Sequence, residues 1–452
     1  MAEEITTTCC IAGGGPAGMM LGFLLARAGV DAVVLEKHGD FLRDFRGDTV
    51  HPSTLELMYE LGLLAEFLRR PHQKLERMAV QIGQSMLWLG DLRHLPTHAK
   101  YIAFMPQWDF LNFLVECARA YPEFHLRMQT EATGLLEQEG VVCGVRARTP
   151  QGELLVRSRL VIGADGRHSV IREKAGLTVE DKGAPMDVLW MRVSRHPDDP
   201  GQSLGRVVRG HMMVMLNRGE YWQCAFLIPK GAGEAFKARG VGQLRQEIAQ
   251  LIPWLSDRVS ELNTWDQISL LTVKVDRLKQ WYKPGLLCIG DAAHAMSPIG
   301  GVGINLAVQD AVAAANILAA PLRAANPERA DPMTAGNAEH TAPANSGPLA
   351  GPRAITGAKA LPDAKALTPF LEQVQRRREF PTRVTQRLQI LAQNRVISPI
   401  LAGARPIKVP LFLKLLQRFP VLQRIPARAI GMGARPEHVK TPDSHQQQKN
   451  AG

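Results

Sequence analysis

Residues 7–18 read TTCCIAGGGPAG, and this stretch decides the fold. A β-rich run enters a turn of closely spaced glycines, and the residues that follow, Ala17–Ala28, have the composition of a helix. In the GxGxxG pattern the first glycine permits a tight turn, the second lets the backbone approach a pyrophosphate, and the third allows close helix–strand packing. Gly13, Gly15 and Gly18 take these positions. The segment therefore predicts a βαβ unit that binds a dinucleotide at a helix N-terminus.

A carboxylate follows the second strand of this unit. Ala32–Leu35 is apolar, and Glu36 stands directly after it. An acidic residue at this place accepts hydrogen bonds from the ribose hydroxyls of a bound dinucleotide. In this first unit the expected cofactor contacts are Gly13, Gly15, Pro16, Ala17, Gly18, Glu36 and Lys37.

Two later glycine motifs narrow the cofactor to FAD. Residues 161–169 read VIGADGRHS and residues 286–294 read LLCIGDAAH, so each apolar strand ends beside an aspartate. Asp291 suits a ribityl hydroxyl, which a flavin carries and a nicotinamide dinucleotide lacks. Residues 298–305, PIGGVGIN, then place glycines at a helix start, where backbone N–H groups can hold the electron-rich edge of a reduced isoalloxazine. The expected contacts in these motifs are Asp165, Gly290, Asp291, Gly301, Val302, Gly303, Ile304 and Asn305.

The length and composition indicate a folded protein of several domains. The chain has 452 residues, 45% of them hydrophobic, and its first residues, MAEEIT, are acidic where a signal peptide would be basic. No run approaches the roughly 20 uninterrupted apolar residues of a membrane-spanning helix. We therefore expect a cytoplasmic protein. The six cysteines show no CxxC pairing and no metal-ligand spacing with histidine, so the sequence predicts no metal site.

The net charge of +11 is concentrated in one segment. Residues 371–440 contain fourteen Lys or Arg and three Glu, a difference of 11, so the rest of the chain is balanced. A nucleic-acid enzyme would carry its bases along the functional groove rather than in one terminal segment. The charge pattern therefore argues against a nucleic-acid partner.

The order of these segments predicts an α/β fold. We expect a Rossmann-like FAD-binding domain of the GR2 type, with βαβ units in a three-layer arrangement, interrupted by a β-sheet-rich substrate domain and followed by a helical C-terminal segment. Residues 70–110 are expected to contribute partly to the substrate domain. The predicted boundaries are 1–180 and 276–323 for the FAD-binding domain, 181–275 for the substrate domain, 324–366 for a disordered low-complexity insertion, 367–440 for a basic helical region and 441–452 for a disordered tail.

As an ordered set, the three motifs resemble those of the class A flavoprotein monooxygenases, the family of p-hydroxybenzoate hydroxylase, phenol hydroxylase and the ubiquinone-biosynthesis hydroxylases. The resemblance extends over about residues 9–322. It implies that Arg46 and Gln107 contact FAD, with Arg46 alternatively a surface cation or a gate for nicotinamide reduction. It also implies that Asp165 serves both FAD and nicotinamide binding and that Pro298 lies near the reacting edge of the flavin.

The resemblance implies a reaction as well. NADH or NADPH would reduce FAD, O2 would add to give a flavin C4a-hydroperoxide, and one oxygen atom would pass to an aromatic or other electron-rich small molecule. Because contact with water breaks down the flavin C4a-hydroperoxide, the β-rich insertion should cover the isoalloxazine. Alternation along a strand turns about half of any list of strand residues away from the pocket. The candidates for the substrate pocket are Trp190, Arg192, Met213, Met215, Tyr221 and Trp222.

Three other functions fit parts of the sequence. A flavin-dependent halogenase shares the nucleotide scaffold, but residues 221–226, YWQCAF, do not supply the GWxWxIP signature of that family. An FAD-dependent reductase of the geranylgeranyl-reductase type would reduce a lipid double bond without oxygen transfer. In the third function FAD is structural, and the basic C-terminal segment recruits the protein to a membrane or a partner. The substrate, the choice between NADH and NADPH and the oligomeric state are left open.

The segment 406–430 mixes apolar and basic residues. Leucines and phenylalanines alternate with lysines and arginines, a pattern that suits weak peripheral contact with an anionic membrane. In the alternative, the apolar side chains pack on the catalytic body and only the bases are solvated. Pro410, Pro420 and Pro426 exclude a long helix in either case.

Overall fold

The computed structural model describes residues 3–42, 49–324, 364–403 and 409–445. The helices are α1 (Pro16–Arg27), α2 (Pro52–Glu60), α3 (Leu64–Phe67), α4 (Gln107–Ala118), α5 (Val170–Lys174), α6 (Gly233–Ala238), α7 (Val241–Leu251), α8 (Gly303–Arg323), α9 (Thr368–Ala392), α10 (Ser398–Leu401), α11 (Leu411–Arg418) and α12 (Arg424–Gly431). The strands are β1 (Glu3–Ala12), β2 (Ala32–Leu35), β3 (Thr49–Val50), β4 (Gln73–Leu75), β5 (Arg77–Ile82), β6 (Ser85–Asp91), β7 (Ile102–Phe104), β8 (Phe124–Arg127), β9 (Glu131–Gln138), β10 (Val141–Thr149), β11 (Gly152–Gly163), β12 (Val179–Asp181), β13 (Met186–Ser194), β14 (Leu204–Val208), β15 (His211–Asn217), β16 (Tyr221–Pro229), β17 (Ser269–Leu271), β18 (Asp276–Leu278), β19 (Tyr282–Lys283) and β20 (Leu286–Cys288).

The first sheet is built around the glycine turn. Its parallel strands follow the order β20, β11, β1, β2 and β8, with β19 antiparallel at one edge and β10 and β9 continuing antiparallel from β11. Ala12 lies opposite Leu35 on one side and Gly163 on the other. Gly163 in turn lies opposite Cys288. The carboxyl ends of β1, β2, β11 and β20 therefore meet at one edge, which we call the shared edge.

Apolar helices cover this sheet. α1 is buried from Ala17 to Ala26, and α4 and α8 contribute buried side chains to the same hydrophobic core. By length and composition the span Ile299–Arg323 is apolar enough to cross a membrane, yet 83% of its most apolar window is buried inside the protein. Within the described residues this span therefore has the burial of a core helix of the sheet.

The second sheet has the strand order β17, β13, β16, β15, β14, β5 and β6. β14 and β5 pair in parallel and the other neighbours pair antiparallel. Since β5 and β6 come from residues 77–91, the early segment of the chain supplies two strands of this sheet. Alternating side chains give the sheet two faces. One face packs on α7, and the other packs against Ile299 and α10.

The C-terminal helices pack back on both sheets. α9 lies against α8, and α11 and α12 lie on β6. The sequence predicts a kink or break at Pro381, and the structure shows no break, since α9 is helical on both sides of this residue. Gln386 and Gln389, which follow it, donate side-chain hydrogen bonds to the carbonyl oxygens of Asp276 and Ser297, which holds the helix in place where one backbone hydrogen bond is missing.

Part of the predicted disordered tail is instead fixed on α1. Arg27 Nη1 donates hydrogen bonds to the carbonyl oxygens of Thr441 and Pro442, at 2.8 and 3.2 Å. The prediction of disorder is therefore wrong for residues 441–445, because α1 offers a guanidinium that satisfies their backbone. The bulk of the predicted insertion and the rest of the tail, 325–363 and 446–452, lie outside the described residues.

Candidate cofactor and substrate site

The glycine turn forms a cradle at the shared edge. Gly13 has a φ of +111°, and a Cβ at this position would overlap the Ala164 carbonyl group. A Cβ on Gly18 would overlap the Gly13 carbonyl oxygen, whereas one on Gly15 would meet no atom within 4 Å. α1 begins after Gly15 with no side-chain cap, so its first N–H groups remain for an anion. An open backbone at a helix N-terminus fits a pyrophosphate.

Glu36 lies beside this cradle with its carboxylate oriented by the backbone. Its Oε2 accepts a hydrogen bond from the Gly14 N–H at 3.2 Å, and its Oε1 accepts one from the His38 N–H at 2.9 Å. Glu36 is 8% exposed, whereas Lys37 is exposed to solvent. A carboxylate oxygen can accept more than one hydrogen bond, so the position of Glu36 is compatible with contact to ribose hydroxyls.

Asp291 is half-buried at the shared edge. The Arg167 Nη2 lies 3.6 Å from the Asp291 Oδ2, with the two side chains 24% and 32% exposed. The sequence pattern does not single out Arg167, although it stands within the second motif. The third motif also touches the first, since a Cβ on Gly290 would lie 3.1 Å from the Ala17 Cβ, next to Pro16 at the start of α1. The three motifs thus form one continuous site.

Asp165 accepts hydrogen bonds at the start of α5. The Ser169 hydroxyl donates to its Oδ1 at 2.5 Å, and the Ile171 N–H donates to its Oδ2 at 3.1 Å. Burial raises the pKa of Asp165, although these hydrogen bonds oppose the shift. The carboxylate therefore caps the start of α5 and shapes the loop of the second motif.

Asn305 fixes the glycine turn that precedes α8. Its Oδ1 accepts from the His51 N–H at 2.9 Å, and its Nδ2 donates to the carbonyl oxygens of Thr49 and Gly301 at 3.0 and 3.2 Å. Gly301 has a φ of +62°, and a Cβ there would overlap the Thr49 side chain. The Asn305 amide thus joins two chain segments, while a Cβ on Gly303 would meet no atom within 4 Å. The buried neighbours in this turn are Val302 and Ile304.

His51 is a buried residue that the sequence motifs do not reveal. Its Nδ1 lies 2.8 Å from the Ile430 carbonyl oxygen, so this nitrogen carries the proton and donates. Burial lowers the pKa of His51 to about 4, although the carbonyl groups of Ile430 and Gly300 oppose the shift. A neutral imidazole therefore connects the glycine turn to α12.

A row of buried glutamines fixes the loop around Pro298. Gln389 Nε2 donates to the carbonyl oxygens of Ser297 and Ile299, both at 2.9 Å, and its Oε1 accepts from the Ser297 N–H at 3.2 Å. Gln393 lies in a π turn after α9 and donates to the Ser297 hydroxyl at 2.7 Å. Pro298 is thus held from both sides by one helix. This glutamine row consists of Gln386, Gln389 and Gln393.

A buried ionic network joins the third motif to the C-terminal region. Asp310 Oδ2 accepts from the Gly290 N–H at 3.0 Å and lies 2.6 Å from His294 Nε2. Its Oδ1 accepts from Arg378 Nε at 2.9 Å, and Arg378 Nη1 lies 3.3 Å from Glu437 Oε1. Burial by itself would raise the pKa of Asp310, but His294 and Arg378 hold it below its usual range. Removing one partner would leave a buried charge unpaired, which is strongly destabilising.

Strand alternation decides which predicted pocket residues can face the shared edge. Trp190 lies on the face of the second sheet that packs against Ile299. Arg192 is exposed two residues further along β13, with its guanidinium 4.1 Å from the centre of the Tyr221 ring. The period of two puts Met213, Met215 and Trp222 on the opposite face, where they pack with α7. The prediction is therefore wrong for Met213, Met215 and Trp222.

Two other predicted contacts complete the set. Gln107 is the first residue of α4 and is half-buried. Arg46 lies outside the described residues. Within residues 3–42, 49–324, 364–403 and 409–445, no group of three or more His, Cys, Asp or Glu side chains is arranged to hold a metal.

Known proteins share this arrangement of motifs. A family model described as an FAD binding domain matches residues 6–341. 6-Methylpretetramide 4-monooxygenase from Streptomyces rimosus is 34% identical over 327 residues, which cover 71% of this chain and 77% of that protein. Rifampicin monooxygenase from Streptomyces venezuelae is 27% identical over 67% of this chain, which spans 61% of the length of that relative. Anhydrotetracycline hydroxylase from S. rimosus has a solved structure with a TM-score of 0.68 at 20% identity, covering 96% of this chain and 77% of that one, and this likeness concerns the fold alone.

The buried histidine generates a pH-dependent prediction. Because the pKa of His51 is about 4 in the folded protein and 6.5 ordinarily, the unfolded chain binds this proton first as the pH falls. The stability that depends on neutral His51 is present above pH 6.5 and is lost towards pH 4, by up to about 3 kcal/mol. We expect His51→Gln to flatten the fall in the free energy of unfolding over this interval, measured by urea unfolding.

His125 provides the matched control for this measurement. Its pKa is raised by the hydrogen bond to Asp31, so its contribution is present below its usual pKa and is lost as the pH rises through the raised value. His125→Gln should therefore change the pH profile with the opposite sign. A His51→Gln profile parallel to that of the wild type would contradict the buried neutral imidazole.

Proposed function

This chain belongs to the class A FAD-dependent monooxygenases, and on that basis we propose that it inserts one oxygen atom of O2 into an aromatic or other electron-rich small molecule, with NADH or NADPH as the reductant. The observation that carries the proposal is the shared edge, where the register of four strands brings the three motifs and Glu36 together. The two curated relatives named above are both monooxygenases, which favours oxygen transfer over the alternative reductase function.

The described residues fit FAD. The cradle around Gly15 and the N-terminus of α1 would hold the pyrophosphate, Glu36 the adenosine ribose and Asp291 the ribityl chain. The open side of Gly303 at the start of α8 would face the electron-rich edge of the isoalloxazine. Bound FAD supplies the redox and oxygen chemistry, and the chain binds and orients it.

The second sheet supports the exclusion of water. The face that carries Trp190 is apolar and meets the loop of Pro298 through Ile299. A dry apolar cover of this kind limits the loss of reactive species to water and binds a flat apolar ring by packing. The observed face therefore supports an aromatic substrate. Its apolar residues are Val188, Trp190, Met212, Val214, Ala225 and Leu227.

Several finer assignments are part of this proposal. Arg46 and Gln107 are proposed contacts to FAD, and Arg46 is also a proposed gate for reduction by the nicotinamide. Asp165 is proposed to serve both FAD and nicotinamide binding, from the loop that its hydrogen bonds fix. Pro298 is proposed to lie at the reacting edge of the flavin. We also propose a cytoplasmic enzyme, for which the rates of FAD reduction by NADH and by NADPH distinguish the two reductants.

Asp291 provides a direct test of the cofactor site. Asp291→Ala should weaken FAD binding about 10- to 100-fold, because a hydrogen bond to a charged group contributes about 1.5–3 kcal/mol. The dissociation constant is measured on apoprotein by quenching of flavin fluorescence. Asp443→Ala is the control, since Asp443 also pairs with an arginine, Arg27 at 3.5 Å, in the segment packed on α1. A yellow and fully active Asp291→Ala protein would contradict the assignment.

Gln389 tests the proposed position of Pro298. Gln389→Leu removes the hydrogen bonds that fix this loop, so we expect about a 10-fold loss of kcat and a larger fraction of hydrogen peroxide, with FAD binding retained. Gln375→Leu is the matched control on the same helix, because Gln375 bonds the backbone of Trp281 and Lys279 instead. Equal losses in the two variants would mean that the row is only structural.

A further inference from the structure

The face of α11 and α12 that meets the protein is defined by polar anchors as well as apolar contacts. Gln417 accepts from the Trp88 N–H at 3.1 Å and donates to the Trp88 carbonyl oxygen at 2.7 Å. Leu413 and Ala427 are buried on the same side, at 4% and 0% exposure. The two helices are therefore fixed on β6 in one orientation.

The opposite face of these helices is apolar and exposed. From the sequence, the apolar residues of segment 406–430 are expected either to pack on the catalytic body or to point outward. The structure shows most of the described ones pointing outward. Their exposures range from 44% to 73%, and they account for six of the fifteen large apolar side chains that are exposed in the described part of the chain. Such a concentration marks an interaction surface. We call it the outer face, and it consists of Leu411, Phe412, Leu415, Phe419, Val421 and Ile425.

The charge around the outer face selects the kind of partner. Residues 380–436 contain ten Lys or Arg and no Asp or Glu. The bases of α11 and α12 are exposed among the apolar side chains, so an anionic partner is favoured. These bases are Lys414, Arg418, Arg424 and Arg428.

A second copy of the chain fits this surface poorly. In a two-fold dimer the same patch meets itself, which would bring the bases of one copy against those of the other. A bilayer surface has no such conflict, because the apolar side chains can be buried among acyl chains while the bases pair with anionic headgroups. The helices have eight residues each, too few to span a bilayer, and suit a position in the interface.

We propose that the outer face binds the surface of a membrane that contains anionic lipids. The protein lies on the membrane through α11 and α12 and does not cross it there. α12 reaches from this face to the site, because the Ile430 carbonyl group accepts the hydrogen bond from His51. The proposal does not depend on the oxygen chemistry, since it concerns a surface outside the shared edge.

Vesicle flotation of the FAD-loaded protein tests the proposal. Phosphatidylcholine vesicles with about one third phosphatidylglycerol should bind it about 10-fold more strongly than pure phosphatidylcholine vesicles, and the difference should shrink between about 50 and about 500 mM salt. A variant with Phe412→Ser, Phe419→Ser and Ile425→Ser should lose about 10-fold of this binding with unchanged FAD content. All three side chains are exposed, so the fold should be retained.

The control variant carries Val179→Ser and Leu270→Ser. Both residues are exposed apolar side chains, and Leu270 lies on β17, at the opposite edge of the second sheet from β6. This variant should bind vesicles as the wild type does. Absence of wild-type binding at low salt, equal binding by both variants, or a dimer in light scattering that only the outer-face variant dissolves would each overturn the proposal.

Discussion

The contact between the first two glycine motifs is the constraint on which the rest of the structure depends. The Ala164 N–H donates to the Ala12 carbonyl oxygen at 2.8 Å, which leaves no room for a side chain on Gly13. The Ile289 N–H continues this ladder to the Gly163 carbonyl oxygen at 2.9 Å. Main-chain hydrogen bonds thus hold the three motifs at the shared edge. The backbone fixed in this way determines where the acidic side chains of the motifs lie.

The C-terminal region completes a site that the first domain begins. The family match ends at residue 341, yet α9 supplies Gln389 to the Pro298 loop and Arg378 to the buried Asp310. α12 supplies the carbonyl group that orients His51. These contacts are buried and polar, so each depends on its partner for satisfaction. The basic C-terminal region is consequently part of the site's framework as well as the carrier of an exposed apolar face.

Local signals made the nucleotide-binding half predictable. The glycine turn and the shared edge are specified by residues that are close in sequence. These are glycines at positions that need a positive φ or a close approach, and apolar strands that end beside an acidic residue. Local signals do not show which face of the second sheet each side chain occupies. Trp190 and Trp222 both follow the period of two, and only the packing of α7 against one face decides which of them lies on the side of Ile299. The role of Asn305 likewise depends on a tertiary hydrogen bond to Thr49 that no spacing in the sequence reveals.

The central claim is that this shared edge binds a flavin that delivers oxygen from O2 to a small molecule. It is tested most directly by supplying the FAD-loaded protein with NAD(P)H, an aromatic substrate panel and isotopically labelled O2, and by measuring the label in the product together with oxygen uptake. We expect product that carries one labelled oxygen atom, with reductant and O2 consumed in equal amounts. Conversion of a substrate without oxygen uptake, or product oxygen derived from water, would contradict the claim.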